Sequence, residues 1–350
     1  MRRVATSLVF LLHLIFVTAV FEAHNTNAIS QDIITKITST GSPNASSNSY
    51  SSNSANITTT TVGSTGERPT RIVIINFDDG YKSQFTSAKP ILDKYGFKAT
   101  FFIVCNFVGN SAKQMNSSSI VNFAGKGVEQ MTWNDIITLY KQGYEIGAHT
   151  MDHLRNMTNM PNNELNYEVG RSKQCIADHG IPITTFAYPF DNGKDNGTIL
   201  KVVSHYYSYA RSGNYPLMFL HCDHFRKYTH QTNCQTYLPN GKISYANRFS
   251  IVGWSHDYDR IAYLYNDQQM LNRFIQVVSG EDRYNRPGQP IDAIPIVVYH
   301  RIDNSRAPYS TTVSLFTAEM KYLYDNGFKV VNMANLVYDN ATNSFYLKNS

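Results

Sequence analysis

A chain of 350 residues with 42% hydrophobic residues can bury the core of one large domain or two ordinary ones. Its net charge of +5 is too small for the basic surface a nucleic-acid binder presents, so nucleic acid is excluded as the expected partner. Four cysteines are too few for a fold held mainly by disulfides, and composition carries no sign of oligomeric state.

In chain order, Arg2 and Arg3 precede an apolar run from Leu8 to Phe21, broken only by His13 and Thr18. A charged start and an apolar run shorter than the ~20 residues of a membrane span define a secretory signal. Small residues at Ala23 and Ala28 offer cleavage points, so residues 1–28 read as a signal peptide. An uncleaved N-terminal anchor is the alternative, and the only membrane contact expected. Residues 29–68 are rich in Ser, Thr and Asn, including Ser46-Ser47-Asn48-Ser49 and Thr58-Thr59-Thr60-Thr61. Such a stretch has too little apolar surface to offset its ordering entropy and reads as a disordered linker. Sequons at Asn44, Asn56, Asn116, Asn156, Asn196 and Asn340 fit a secreted or cell-surface glycoprotein.

From residue 69 to 340 apolar runs alternate with amphipathic stretches. Strands are predicted at Arg71–Phe77, Lys98–Val104, Tyr144–Ala148, Thr184–Tyr188, Arg248–Val252, Ile294–Tyr299 and Phe328–Val331. Helices are predicted at Trp133–Gln142, Glu164–His179, Asp267–Ser279 and Leu315–Asn326. Short continuous apolar strands separated by helices imply an α/β fold with a mostly parallel sheet covered on both faces, and some seven units could close into a distorted barrel. Residues 191–245, dense in Tyr, His and Asn, carry no periodic signal and read as an irregular insertion, and residues 341–350 read as a tail. Cys105 and Cys175 read as buried thiols, and Cys222 with Cys234 as a candidate disulfide within the polar insertion.

Four polar clusters follow strands directly: Asp78-Asp79-Gly80, His149-Thr150-Met151-Asp152-His153, Pro189-Phe190-Asp191 and His300-Arg301. Each has a bland reading. Asp-Asp-Gly is a common turn, and a single HxxxH is more often incidental than a metal site. In a parallel barrel, however, all strand C-termini open on one face, so two carboxylates and three imidazoles would converge there.

These residues also resemble a known family. Asn76-Phe77-Asp78-Asp79-Gly80-Tyr81, Ala99–Val104, Glu145–His153, Phe186-Ala187-Tyr188-Pro189-Phe190 and Val298-Tyr299-His300 are similar to successive motifs of the polysaccharide deacetylases, carbohydrate esterase family 4. The resemblance is strong over residues 71–190 and looser to about 340. It implies a distorted (β/α) barrel and removal of acetyl groups from a glycan, expected to carry N-acetylated hexosamine units. It assigns Asp79, His149 and His153 to one divalent ion, with Zn2+ the default and Co2+ or Ni2+ compatible with the same ligands. It makes Asp78 the base and His300 the acid, and places Tyr188, Pro189 and Phe190 against substrate. Related hydrolysis of another linear amide or an O-acetyl ester, and catalytically silent glycan binding, remain as alternatives. The family's third-motif Arg is replaced by Ala187, so either another Arg, such as Arg248 or Arg211, reaches Asp78 or the base is held otherwise. The family's fourth motif, an acidic residue near a Trp that supports the acid, has no clear counterpart; Trp254 with Asp257 or Asp259 is the candidate.

Overall fold

The computed structural model describes residues 71–109, 128–154, 157–213, 215–221, 248–342 and 344–348. The signal segment, the linker, the pair Cys222 and Cys234, and the sequons at Asn44, Asn56, Asn116 and Asn156 lie outside the described residues. No helix among the described residues is long and apolar enough to cross a membrane.

Thirteen strands occur among the described residues. The sheet proper contains β1 (Arg71–Phe77), β2 (Thr100–Ile103), β3 (Glu145–Ala148), β4 (Thr185–Ala187), β5 (Tyr209–Arg211), β6 (Leu217–Phe219), β7 (Trp254–Ser255), β8 (Ala293–Tyr299) and β11 (Phe328–Val331). Two small pairs lie apart from it: β9 (Arg301–Ile302) with β10 (Ser310–Thr311), and the hairpin β12 (Leu336–Asp339) with β13 (Ser344–Leu347). The main path runs β5-β4-β3-β2-β1-β8-β6, with β11 on β1 and β7 on β8. Every pairing in this sheet is parallel except β6 with β8. Beyond β5, the Ala210 N–H donates to Arg248 O, the Ser212 N–H to Ile251 O, and the Ile251 N–H to Ala210 O. The same segment continues into β7 and so back to β8, which curls the sheet into a distorted barrel.

The strand period of two sorts side chains between two packing layers. Val73, Ile75 and Phe77 of β1 face the helices with Leu315, Phe316 and Met320. Ile72 and Ile74 point inward with Phe102, Ala187, Ile251, Ile294 and Ile296. Gly147 belongs to the inward set, and a Cβ there would come within 2.5 Å of the Phe102 ring. Close packing inside the barrel therefore requires glycine at that position. Carried past the strand ends, the inward parity of 72, 74 and 76 reaches Asp78. That of 294, 296 and 298 reaches His300, and that of 145 and 147 reaches His149. Alternation alone thus delivers three of the polar residues to one mouth.

Most predicted elements stand within a residue or two of their expected limits, and four readings are corrected. Residues 197–219 are not irregular: they form the helix Gly197–Tyr206, the barrel strand β5, and β6. The predicted strand at Arg248–Val252 is reduced to a single bridge at Ile251, followed by the two-residue β7. The expected tail contains β13, whose Phe345 is fully buried against Leu336.

The fourth correction concerns cysteine. Cys105 and Cys175 are joined in a disulfide, with Cα atoms 6.5 Å apart, instead of standing as two buried thiols. The bond ties the end of β2 to the helical segment Asn162–Ala177, which packs over the loop after β3. The segment after β2 bonds to that loop: the Cys105 N–H donates to Thr150 O and the Asn106 N–H to Met151 O. Closing a loop of 70 residues removes unfolded-state entropy corresponding to about 4 kcal/mol. The double variant Cys105→Ser/Cys175→Ser is therefore expected to unfold at clearly lower urea concentration, by about that free energy. An unchanged midpoint by circular dichroism would refute the bond's stabilising role.

Candidate active site

The cavity at the barrel mouth has a volume of about 290 Å³, and its lining includes Asp78, His149, His153, Arg211, Tyr258 and His300. Asp79, His149 and His153 come together beneath it, their ligand atoms all within 4.8 Å of one another. His149 Nε2 lies 3.5 Å and His153 Nε2 3.2 Å from Asp79 Oδ1. The second nitrogen of His149 is committed: Nδ1–H donates to Ala187 O at 2.8 Å, leaving the Nε2 lone pair toward Asp79. Burial is the main reason the pKa of His153 falls to about 4, against the pull of Asp79, so this ring is neutral and able to ligate. Burial opposes ionisation of Asp79, yet the surrounding imidazoles of His153, His149 and His300 hold its carboxyl well below the usual carboxylate range.

Asp79 is 1% exposed, and neither of its carboxylate oxygens has a hydrogen-bond partner among the described residues. An ionised, buried carboxylate without donors is costly unless a cation is there to balance it. The orphaned oxygens, the two imidazole nitrogens that face them and the spacing of the set therefore fit a divalent ion.

Local backbone geometry makes this convergence possible. Asp79, Thr150, His153, Phe190 and Asp191 all adopt positive φ without being glycine. Five left-handed residues around one mouth represent strain that the surrounding contacts must offset. The loop carrying His153 is pinned by Glu168, whose Oε2 accepts from the N–H groups of Met151 and Asp152 at 3.1 and 3.0 Å. Thr150 Oγ1 accepts from the His153 N–H at 2.9 Å.

Asp78 has different neighbours. Its two oxygens accept from Arg211 Nη2 at 2.6 and 2.5 Å, with the arginine 3% exposed. Arg211 lies on β5, directly beside Ala187 of β4 in the parallel register. The guanidinium missing at position 187 is thus supplied from the next strand. Arg248, the other expected candidate, instead stacks over the rings of Tyr338 and Phe249. Gln84 Nε2 donates to Asp78 O and to His300 O, tying together the segments that follow β1 and β8.

The His300 N–H and Nδ1–H both donate to Asp257 Oδ2, at 2.8 and 3.3 Å. Of the two candidate aspartates, Asp257 is therefore the one bonded to His300. Asp259 instead accepts from Trp254 Nε1–H and Arg273 Nε–H. Of the expected substrate contacts, Tyr188 and Phe190 line the cavity while Pro189 does not. Phe190 sets its ring against His153 at 4.6 Å. Tyr258, 54% exposed, and Tyr309 also line the mouth and escaped the sequence reading, because single tyrosines in a Tyr-rich chain give no signal.

The barrel mouth thus presents a buried carboxylate with two imidazoles, a second carboxylate held by arginine, and a third imidazole held by aspartate. Residues 65–208 match the family model described as Polysaccharide deacetylase. A putative polysaccharide deacetylase, YxkH, of Bacillus subtilis (strain 168) is 28% identical over 136 residues, covering 37% of this chain and 40% of its own length. A gellan lyase of a Bacillus species is 24% identical over 138 residues, covering 39% of this chain and 4% of its own. The chain therefore spans less than half the length of either curated relative. Among solved structures, the Xyl-CE4 domain of a multidomain xylanase from the hindgut metagenome of Trinervitermes trinervoides is 18% identical. It aligns with a TM-score of 0.42 over 76% of this chain and 88% of that one. Peptidoglycan deacetylase PdaC from Bacillus subtilis is 16% identical, with a TM-score of 0.37 over 76% and 89%.

Proposed function

We propose that this protein is a metal-dependent hydrolase that removes acetyl groups from a glycan, acting on N-acetylated hexosamine units. The observation that carries the reading is the division of labour between adjacent carboxylates. Asp79 faces two imidazoles with unfilled oxygens, whereas Asp78 is fixed by Arg211 on the cavity wall. Asp79, His149 and His153 would hold the ion, with zinc the default for this donor set and cobalt or nickel acceptable. When bound, the ion lowers the pKa of water and polarises the acetyl carbonyl. Asp78 then takes the proton of the attacking water on a carboxylate oxygen that Arg211 keeps oriented. His300 gives a proton from Nε2 to the departing amine, while Nδ1 stays bonded to Asp257. Phe190 and Tyr188 wall the acetyl-binding end of the cavity.

The Cys105–Cys175 bond supports export to an oxidising compartment, consistent with a cleaved signal or an N-terminal anchor.

The test is the alkaline side of the pH profile. Burial alone would lower the pKa of His300, but the bond to Asp257 and the charges of Asp79, Asp78 and Asp257 reverse this and raise it to about 9. An acid must be protonated to act, so activity is expected to fall as pH rises through that raised value. Asp257→Asn removes part of the raising influence and should move this limb to lower pH. A limb unmoved by Asp257→Asn would contradict the assignment of His300 as acid.

A further inference from the structure

The acid is one end of a longer buried chain. Asp257 Oδ2 is taken by His300, as described. Its Oδ1 accepts from the hydroxyl of Thr311 and from His256 Nδ1–H, the latter at 3.2 Å. The other nitrogen, His256 Nε2–H, donates to Glu319 Oε1 at 2.7 Å, and Tyr299 Oη–H donates to Glu319 Oε2 at 2.8 Å. His256, Asp257, Tyr299, Thr311 and Glu319 are all 0% exposed. They come from the helix His256–Tyr263, β8, β10 and the helix Val313–Asp325, elements brought together only by the fold.

Two features argue that this set does more than hold the barrel together. Both nitrogens of His256 face carboxylate oxygens, so both carry hydrogen and the ring is an imidazolium. Burial would lower its pKa, but Glu319 and Asp257 outweigh that and raise it to about 9. As a fold-stabilising device, a buried ion pair gives little that apolar packing would not give equally well. Here the chain ends on the imidazole at the cavity wall. An Asp257 bonded only to His300 would be free to turn about its own side-chain torsions. With Thr311 and His256 on Oδ1, all of its acceptor directions are used and the carboxylate is locked.

We propose that His256 and Glu319 are positioning residues for proton delivery by His300. They fix Asp257, which in turn fixes the His300 ring with Nδ1 protonated and Nε2 toward the leaving group. This inference rests on the deacetylase reading above.

The informative variant is Glu319→Gln, which keeps the shape and an acceptor oxygen for His256 Nε2–H, with the Tyr299 hydroxyl turned to accept from the amide N–H, but removes the charge that holds His256. In the full-length, metal-loaded protein, kcat on an N-acetylated chito-oligosaccharide is expected to fall by on the order of 10-fold, with KM within about two-fold. On p-nitrophenyl acetate, whose leaving group needs no proton, the loss should stay within about two-fold. The downfield Nδ1–H resonance of His300 should shift or disappear in the variant's NMR spectrum. Equal losses on amide and ester, or an unaltered His300 resonance, overturn the proposal. If Glu319→Gln does not fold, Thr311→Val removes one bond to the same Asp257 oxygen and is expected to give the same amide-selective loss. A wild-type protein that releases no acetate from any acetylated glycan would overturn the functional reading and the delivery role with it. An active wild type with equal losses would overturn the positioning role alone.

Discussion

Asp78→Asn is expected to lower kcat on an N-acetylated glycan by about 10²–10⁴-fold while the bound metal is retained. Asp78 makes no part of the Asp79, His149 and His153 cluster, so the ion should stay. What is lost is the proton acceptor, since an amide nitrogen cannot take a proton from water and its N–H groups would face the N–H groups of Arg211. The same change exposes the cost of the buried pair. Arg211 and Asp78 are 3% and 5% exposed, and a guanidinium left without its carboxylate inside the barrel typically costs about 3 to 5 kcal/mol of stability. Activity must therefore be measured well below the variant's unfolding transition. Arg211→Ala should show a similar stability loss. Adding Ala187→Arg, which returns a guanidinium from the neighbouring strand, should recover part of the activity. Full metal content with undiminished turnover in Asp78→Asn would remove Asp78 from the chemistry.

His149→Ala is expected to abolish stoichiometric divalent metal and, with it, turnover. His149 supplies one of three ligand atoms, and its ring is already oriented by the bond to Ala187 O. Losing one of three protein ligands leaves Asp79 and His153, which cannot complete a tight site in competition with water. Metal removal also has a structural signature. Asp79 is held ionised by the surrounding imidazoles and has no donor of its own, so an ion should stabilise the folded chain by mass action. Melting temperature should rise with added zinc in the wild type and not in His149→Ala. A variant that keeps one equivalent of metal by elemental analysis would show that the ion sits elsewhere.

Much of this site was legible before the fold was known, and the reasons are specific. β1 and β8 are buried on both faces, so they read as unbroken apolar runs and announced the positions of Asp78 and His300 at their ends. The His149 and His153 pair was legible for the same reason, since β3 is fully buried and stops at Ala148. Two candidate arginines and two candidate aspartates could be narrowed only by the structure. Choosing Arg211 over Arg248 depends on the register of β5 against β4, and a three-residue strand in a Tyr-rich stretch has no periodicity to reveal it. The Cys105–Cys175 bond was missed because pairing across 70 residues depends on tertiary contact, not spacing. Glu319 did leave a trace: it interrupts the buried row Leu315, Glu319, Leu323 on one helix face, where only an apolar residue or a paired charge is tolerated.

The measurement that bears most directly on the central claim is acetate release from acetylated glycans by the purified protein, before and after chelation and after zinc is restored. N-acetylated chito-oligosaccharide and peptidoglycan fragments should be compared with an O-acetylated xylan, with free amines counted alongside acetate. The expected result is acetate and new amines in equal amounts from the N-acetylated substrates, lost on chelation and regained with zinc. Release unaffected by chelation, or no release from any of these glycans by zinc-loaded protein, would contradict a metal-dependent glycan deacetylase.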